Sequence, residues 1–363
     1  MKFLLKFLGV SAIVLGAAGA GYLAYSYFVS PEPAPVSSAP ASSGPSPTTD
    51  ASVKLESQKS TLGFWVNTKD KSIYYISDEG KINKSFGGRN EELSGQTIAG
   101  FNRIIPSPDG TKGIIVLSYT QDSIFSLYDT ANNTWERLPK GTIAADFDPS
   151  STKIAYLKNS GLGALFVLDL ITKKTAEMMK FNVLDGDLSW VSKNALYFTP
   201  KPGPLSNNQQ VFYIDIADKS VLPASGETGL SYLFSRDNQL ALRLSGGIAG
   251  QYSLALIHQF GGFINNIPFL SWPDKCAFKK EFVYCAVPKS LPPRITIPDD
   301  YLKEKIFTED VFVKYNTDAA AGDYEIVYEP QSPIDAHNLV VSENKILFRN
   351  RYDGKIYSLK VKG

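Results

Sequence analysis

The chain has 363 residues, 37 basic and 36 acidic, giving a formal net charge of +1. This balance, without a basic cluster, excludes a dedicated nucleic-acid surface, because phosphate binding needs a concentrated basic excess. The 19 Tyr, 21 Phe and 4 Trp residues suit strands packed on both faces.

Residues 7–29 (FLGVSAIVLGAAGAGYLAYSYFV) are uncharged. At about 1.5 Å per residue they match a hydrocarbon core of roughly 30 Å, so they are expected to form a transmembrane anchor helix. Lys2 and Lys6 precede the segment and no basic residue follows until Lys54. The positive-inside bias therefore puts a stub of residues 1–6 in the cytoplasm and everything after Val29 outside the cytoplasmic membrane. The rival reading is a cleaved signal peptide, since Ala18-Gly19-Ala20 has the small-x-small pattern; the apolar stretch continuing past that site favours the anchor. Ala12, Gly16, Ala20 and Ala24 would form a small-residue stripe able to support weak pairing of two such helices, although small residues are common in membrane segments. Residues 30–50 (SPEPAPVSSAPASSGPSPTTD) carry no apolar periodicity and read as a disordered, partly polyproline-II spacer.

From residue 51 onward one pattern recurs seven times. An apolar run ends in a turn, a second apolar run follows, often closing on Asp, and a short polar strand comes last. The first runs are LGFWVN (62–67), GIIVLSY (113–119), KIAYLK (153–158), ALYFTP (195–200), LALRL (240–244), FVYCAV (282–287) and KILFRN (345–350). They are too short for helices and are bounded by Gly, Pro, Asn and Asp, so they read as strands. They are apolar on both faces, as central strands must be when sheets stack face to face around an axis. Repeated short β-units at a period of roughly 40–60 residues mark a closed all-β β-propeller. The units fall at about 60–100, 101–140, 141–181, 182–225, 226–265, 266–332 and 333–363, so seven four-stranded blades are expected, with six or eight as alternatives. The last unit has three strands and the first lacks a clear inner strand; Ser52–Ser57 is the candidate for the missing one. Closure of this kind removes exposed sheet edges. Turns follow suit: Pro108-Asp109-Gly110, Pro149-Ser150-Ser151 and Arg236-Asp237-Asn238 between first and second strands, and Asp78-Glu79-Gly80, Asn132-Asn133 and Thr172-Lys173-Lys174 between third and fourth.

The stretch SPDGTKGIIVLS…SIFSLYDTANNTWERL resembles the repeat unit of TolB-like and WD-repeat-like bacterial propellers, with weaker echoes at 142–180 and 184–222. From Asp274, DKCAF…VYCAVP…PDDYL resembles a family of membrane-anchored bacterial propellers. The resemblance covers about residues 60–361 at the level of fold, and by analogy implies recognition of a partner protein in the cell envelope. No Gly-His…Trp-Asp pair recurs, so no partner carries over from the WD-repeat family.

Two units carry insertions between their second and third strands: Lys201–Gln210 and the longer Pro288–Glu309. In a meander wound outward from the axis, these loops emerge on the face that also carries the links between blades. Inserted loops are where propellers place function. The candidate binding residues are therefore Asp299, Asp300, Tyr301, Glu309 and Asp310, acidic and aromatic at the tip of the long insertion. The bland alternative is a solvated loop packed over a groove.

Other motifs carry little chemistry. Cys276 and Cys285 are the only cysteines. A two-residue turn at Lys280-Glu281 would set them opposite each other at a non-hydrogen-bonded site suited to a disulfide, whereas a turn at Trp272-Pro273-Asp274 would not. His258 and His337 lack a nucleophile elbow, and Ser150-Ser151-Thr152-Lys153 lies on a turn rather than a helix. Arg349 and Arg351 could grip an acidic ligand, but read first as solvated strand ends. Ser245–Gln251 opens no helix, no Asp-box occurs, and no calcium loop is present. No catalytic residue, metal or cofactor is expected. The sequence thus points to an extracytoplasmic binding or scaffold module for a protein or envelope ligand, with a propeller hydrolase acting on glycan or peptide as the alternative.

Overall fold

The computed structural model describes residues 52–361, apart from 94, 119–122, 161, 182–185, 201–208, 230, 237–238, 247–251, 260, 298 and 319–323. The expected anchor (7–29), the spacer (30–50), most of the first insertion and part of Ser245–Gln251 lie outside the described residues. No helix among the described residues is long and apolar enough to cross a membrane.

The first strand, β1 (Val53–Leu55), does not join the strands that follow it. Those strands form seven four-stranded antiparallel meanders. Blade one comprises β2 (Thr61–Val66), β3 (Ile73–Ser77), β4 (Ile82–Phe86) and β5 (Arg89–Glu92). Blade two has β6 (Phe101–Pro106), β7 (Lys112–Ser118), β8 (Ser123–Asp129) and β9 (Thr134–Arg137). Blade three has β10 (Thr142–Phe147), β11 (Lys153–Ser160), β12 (Leu162–Asp169) and β13 (Thr175–Phe181). Blade four has β14 (Gly186–Trp190), β15 (Ala195–Pro200), β16 (Gln209–Asp215) and β17 (Ser220–Gly229). Blade five has β18 (Ser231–Phe234), β19 (Leu240–Gly246), β20 (Tyr252–His258) and β21 (Phe263–Asn266). Blade six has β22 (Cys276–Lys279), β23 (Phe282–Pro288), β24 (Asp310–Asn316) and β25 (Tyr324–Tyr328). Blade seven has β26 (Ala336–Ser342), β27 (Lys345–Asn350), β28 (Ile356–Lys360) and, as its outermost strand, β1.

Every pair of neighbouring blades shares an apolar seam, including the pair that joins the two ends. Ile114, Val116 and Phe125 of blade two meet Phe147 and Ile154 of blade three. Leu347 and Ile356 of blade seven meet Phe64, Val66 and Ile73 of blade one. This is a closed seven-bladed β-propeller. Two-sided burial of the second strands follows from it: Ile114 and Ile115 point to opposite faces of β7, and both are fully buried. The clasp is hydrogen-bonded as well as paired. Val53 stands opposite Leu359 and Leu55 opposite Tyr357. Beyond β1, buried Glu56 accepts from Ser358 Oγ (2.7 Å), and Ile356 N donates to Ser57 Oγ (2.9 Å).

Blade one corrects the sequence reading. The run at 62–67 is the innermost strand of that blade, not its second, and Asp78-Glu79-Gly80 therefore turns from second to third strand. The run looked like a second strand because it is apolar on both faces. Trp65 stacks on Tyr74 at 5.4 Å and sends its Nε1–H to Gly110 O, while Phe64 and Val66 serve the seam with blade seven. That approach explains Gly110: its φ is +68°, and a Cβ there would meet Val66 O at 1.8 Å.

The recurrent Asp at the end of third strands also has a cause. Asp129 Oδ1 accepts from Ala131 N and Asn132 N, Asp169 Oδ1 from Ile171 N and Thr172 N, and Asp215 Oδ1 from Ala217 N and Asp218 N. Each carboxylate ties off the donors of the turn to the outer strand. In blade six, Lys280 takes φ +51° in the two-residue turn, Cys276 faces Cys285 with Cα atoms 4.1 Å apart, and their Sγ atoms are bonded.

Candidate binding faces of the ring

The antiparallel meander gives the ring two unlike faces. The lower face carries the turns from first to second strands. The upper face carries the second-to-third turns and the links between blades, and the insertion after Pro288 rises there. Pro292-Pro293 bars regular structure at its start, because proline supplies no N–H. A single helical turn, α1 (Asp299–Leu302), follows. Asp300 ties it to the preceding segment by accepting from Thr296 N at 2.8 Å, and Lys305 pairs with the same carboxylate at 2.9 Å. The backbone hydrogen bond and Lys305 hold the Asp300 carboxyl below its usual range. Ile297 and Tyr301 point inward, fully buried, and join the seam of blades five and six with Leu242, Leu254, Trp272 and Val287. Ile297 N donates to Tyr252 OH at 2.9 Å, fastening the insertion to β20.

Beneath the insertion lies a buried network of charges. Lys275, wholly buried at the end of a 3-10 turn (Pro273–Lys275), donates to Thr308 Oγ1 (2.7 Å), Asp310 Oδ2 (2.5 Å) and Asp335 Oδ1 (2.7 Å). Asp335 also accepts from Tyr301 OH, Thr308 N and Arg351 Nη1, each at 3.1 Å. Arg351 lies 4.0 Å over the Tyr301 ring and donates to Tyr301 O and Ile306 O. Burial raises the Asp310 carboxyl above its usual range, Lys275 offsetting this only in part, and its Oδ1 has no hydrogen-bond partner. Burial likewise drives the Tyr301 hydroxyl well above its ordinary value, with Asp335 adding to the rise.

The five candidate residues are thus divided rather than convergent. Tyr301 and Asp310 are interior struts. Asp299 and Asp300 pair with Lys303 and Lys305, and Glu309 is exposed. Arg351 belongs to the interior network. Besides the exposed charges of Lys303, Glu304, Lys305 and Glu309, the tip presents three large apolar side chains to solvent, Leu302 (56% exposed), Phe307 (44%) and the neighbouring Tyr352 (45%), with the Phe307 and Tyr352 rings stacked at 5.4 Å and Arg351 4.8 Å from Phe307. Sequence reading missed Lys275, Thr308 and Asp335, whose partners are up to 60 positions away. The available signal was Phe307 and Leu302, large apolar residues in an otherwise charged loop.

The channel is crossed by ion pairs from alternate blades. Arg103 on β6 pairs with Asp187 on β14 near the upper end. Arg236 reaches Asp146 on β10 at 3.3 Å near the lower end, where Trp190 N also donates to Asp146 Oδ2 (2.7 Å). Burial raises the Asp146 carboxyl, partly offset by Arg236 and that N–H. A cavity of about 540 Å³ opens on the lower face, lined by Trp65, Phe234, Phe278, Arg236, Lys71 and Glu343. A smaller one of about 270 Å³ lies at the upper end, among Phe64, Phe101, Arg103 and His337. Among the described residues, Glu343 is the one carboxylate lining the lower cavity, and none lines the upper.

No protein-family model and no curated protein matches the chain. Solved structures do match it in fold. The WD40 repeats of RRP9 superpose with a TM-score of 0.56 at 10% identity, covering 86% of this chain and 98% of that one. The tricorn protease gives a TM-score of 0.52 at 13% identity, over 85% of this chain but 34% of the protease. TolB from Acinetobacter baumannii gives 0.45 at 16% identity over 72% of this chain and 64% of TolB, too low a score to add to the argument. The chain thus spans about a third of the tricorn protease and under two thirds of TolB. At these identities the matches establish the propeller fold alone.

Proposed function

We propose that this propeller is a partner-binding module whose docking surface is the tip of the upper-face insertion. One observation carries the reading: the exposed Leu302, Phe307 and Tyr352 sit directly above the buried Lys275–Asp310–Asp335–Arg351 network. Interface hot spots are aromatic or arginine anchors held rigid before binding, and this patch has both qualities. The partner is a protein, displayed with this chain on the outer side of the cytoplasmic membrane, where residues 7–29 serve as anchor and 30–50 as spacer.

The hydrolase alternative requires two carboxylates converging on solvent. Asp310 and Asp335 converge on Lys275 but are sealed beneath the insertion, and the exposed Glu79 and Glu92 converge on the ammonium of Lys59, at 2.6 and 3.6 Å, which occupies the space between them. Photocrosslinking from position 302 in intact cells, with wild type and a Phe307→Ser/Tyr352→Ser variant, tests the proposal. A discrete protein adduct that falls tenfold or more in the variant is expected. An adduct unchanged by the double substitution would overturn the assignment of this patch. Deleting 288–309 is the poorer experiment, because it uncovers the network and the fold would suffer with the surface.

A further inference from the structure

The seam between blades seven and one changes character as it descends. Its middle is apolar, with Leu347 and Ile356 of blade seven against Phe64, Val66 and Ile73 of blade one. Residues two apart share a face of a strand, so the row through Leu347 and Ser358 continues to Lys345 and Lys360 at the lower rim. Those two lysines stand directly opposite each other in the ladder, and both are exposed. Like charges so placed destabilise a sheet. Lys54 on β1, opposite Ser358, adds a third cation to the same face. Their carboxylate, Glu56, is buried and shared, lying 3.5 Å from Lys54, 3.9 Å from Lys345 and 2.7 Å from Ser358 Oγ.

Blade one supplies the other wall. Lys71, in its turn from first to second strand, is answered by Glu343 at 3.2 Å, and in the same turn Lys69 and Asp70 add no net charge. The hairpin of β4 and β5 turns through Gly87 and Gly88, both at positive φ, and sets Phe86 opposite Arg89 at its tip. Phe86 is 59% exposed, with Arg89 exposed beside it. Phe86, Lys54, Lys71 and Lys345 line one cleft of about 220 Å³ together with Val66 and Ile73. Lys54, Lys71, Arg89, Lys345 and Lys360 thus face Glu56 and Glu343, a local positive surplus in a chain whose net charge is +1. The chain also enters the ring here: β1 begins at this rim, antiparallel to the end of β28.

We propose that this rim docks on an anionic lipid surface, with Phe86 entering the boundary between headgroups and acyl chains and the surplus cations meeting lipid phosphates. The inference rests on the reading of 7–29 as the anchor and 30–50 as the spacer. An apolar side chain ringed by basic ones is the composition of an interfacial contact, and each lysine or arginine held near the surface adds to the attraction. The rim is too small to hold a membrane alone. Residues 30–50 as a flexible chain span about 25 Å root-mean-square, however, so the tether keeps the rim at high effective concentration beside the bilayer. Docking by the lower rim turns the upper face, and with it the insertion tip, away from the membrane.

The test uses the full-length chain reconstituted in vesicles of phosphatidylcholine, alone or mixed with phosphatidylglycerol. Phe86→Trp supplies the probe, read as the difference from wild type, whose Trp65, Trp190 and Trp272 are buried. In the anionic vesicles the added emission should shift to the blue and be quenched at least twofold by lipid brominated on its acyl chains. In phosphatidylcholine alone it should stay that of a solvent-exposed indole. Adding Lys345→Gln and Lys360→Gln should abolish the quenching, as should about 1 M salt, where the screening length is about 3 Å. The two lysine substitutions remove a like-charge pair, so in detergent the variant should unfold at no lower urea concentration than the parent. Equal emission in the two kinds of vesicle would overturn the proposal. So would a blue shift that bromine does not quench, the outcome expected where residues 30–50 or a second copy cover the rim. Flotation at high salt reports the anchor separately. A chain that floats with phosphatidylcholine while the probe stays exposed in anionic vesicles refutes the rim alone; one that fails to float, yet is quenched in anionic vesicles, refutes the anchor and leaves the rim contact standing.

Discussion

Replacing Lys275 by Met puts the buried network to a quantitative test. The wild-type cluster is balanced, with Lys275 and Arg351 against Asp310 and Asp335, all four side chains 4% exposed or less. Met fills most of the lysine stem's volume, so packing is largely kept and the loss is electrostatic. Two carboxylates would then face one guanidinium, and Arg351 touches only Asp335. Breaking a buried ion pair by removing one partner costs about 3–5 kcal/mol. Equilibrium urea unfolding at pH 7, followed by tryptophan fluorescence, should show a loss of that size, with Trp272 beside the site as a local reporter. The pH dependence adds a sign. Asp310 already titrates above its usual range through burial, and removing Lys275 lifts it further. A carboxyl whose folded pKa is raised binds more protons folded than unfolded, so its variant regains stability as pH falls. The gap between variant and wild type should therefore narrow from pH 7 to pH 5. Asp310→Asn added to Lys275→Met should recover part of the loss, since the side-chain oxygen can still accept from Ala336 N, a bond of 2.7 Å in the wild type. A variant within about 1 kcal/mol of wild type at pH 7 would mean the charges are solvated, refuting the argument for a rigid support.

Two further outcomes follow from local geometry. Replacing Cys276 and Cys285 by Ala opens a loop whose ends are 9 residues apart, which chain entropy prices at about 2–3 kcal/mol; thiol labelling of wild type should need both reductant and denaturant, since both cysteines are buried, and labelling without reductant would show that the pair is not bonded. At Asp129, burial favours the neutral acid, but Lys112 and the N–H groups of Ala131 and Asn132 outweigh it and hold the carboxyl below its usual value. That contribution is present above the ordinary carboxylate pKa and lost as pH falls through the lower folded value. Asp129→Asn should then cost about 1 kcal/mol at pH 6 and progressively less toward pH 3, a difference discounted for the carboxylate's partial solvent exposure; an equal cost at both pH values would show that the charge contributes nothing.

The ring was legible because its periodicity is a packing requirement. A second strand buried between two neighbours must be apolar on both faces, and that signature recurs at 113–119, 153–158, 195–200 and onward. The clasp was legible for a complementary reason: a last unit with three strands leaves an edge, and 52–57 had no other place to pair. Blade one misled because Trp65 and Phe64 give an inner strand the two-sided look of a second one, each serving a different seam. The insertion was legible as a position and opaque as a surface. Acidic residues on a charged loop look solvent-facing, yet Asp310 and Tyr301 turn inward, drawn by Lys275 and Asp335, which lie 35 and 34 positions away along the chain. Only the fold reveals that Phe307 and Tyr352 stack outside them.

This inversion bears on which face binds. The lower cavity is the larger, but its cations are already occupied, Arg236 by Asp146 and Lys71 by Glu343 at 3.2 Å. The upper face instead combines exposed aromatic side chains with a foundation that cannot yield locally. A flexible loop would lose conformational entropy on binding, of order 0.5–1.5 kcal/mol per immobilised side chain. Here that entropy is surrendered on folding, when Tyr301, Thr308 and Ile297 lock the insertion to blades five, six and seven. If the insertion tip is the docking surface proposed above, the buried ion network serves to present it, and substitutions at Lys275 should weaken partner capture even where the propeller remains folded.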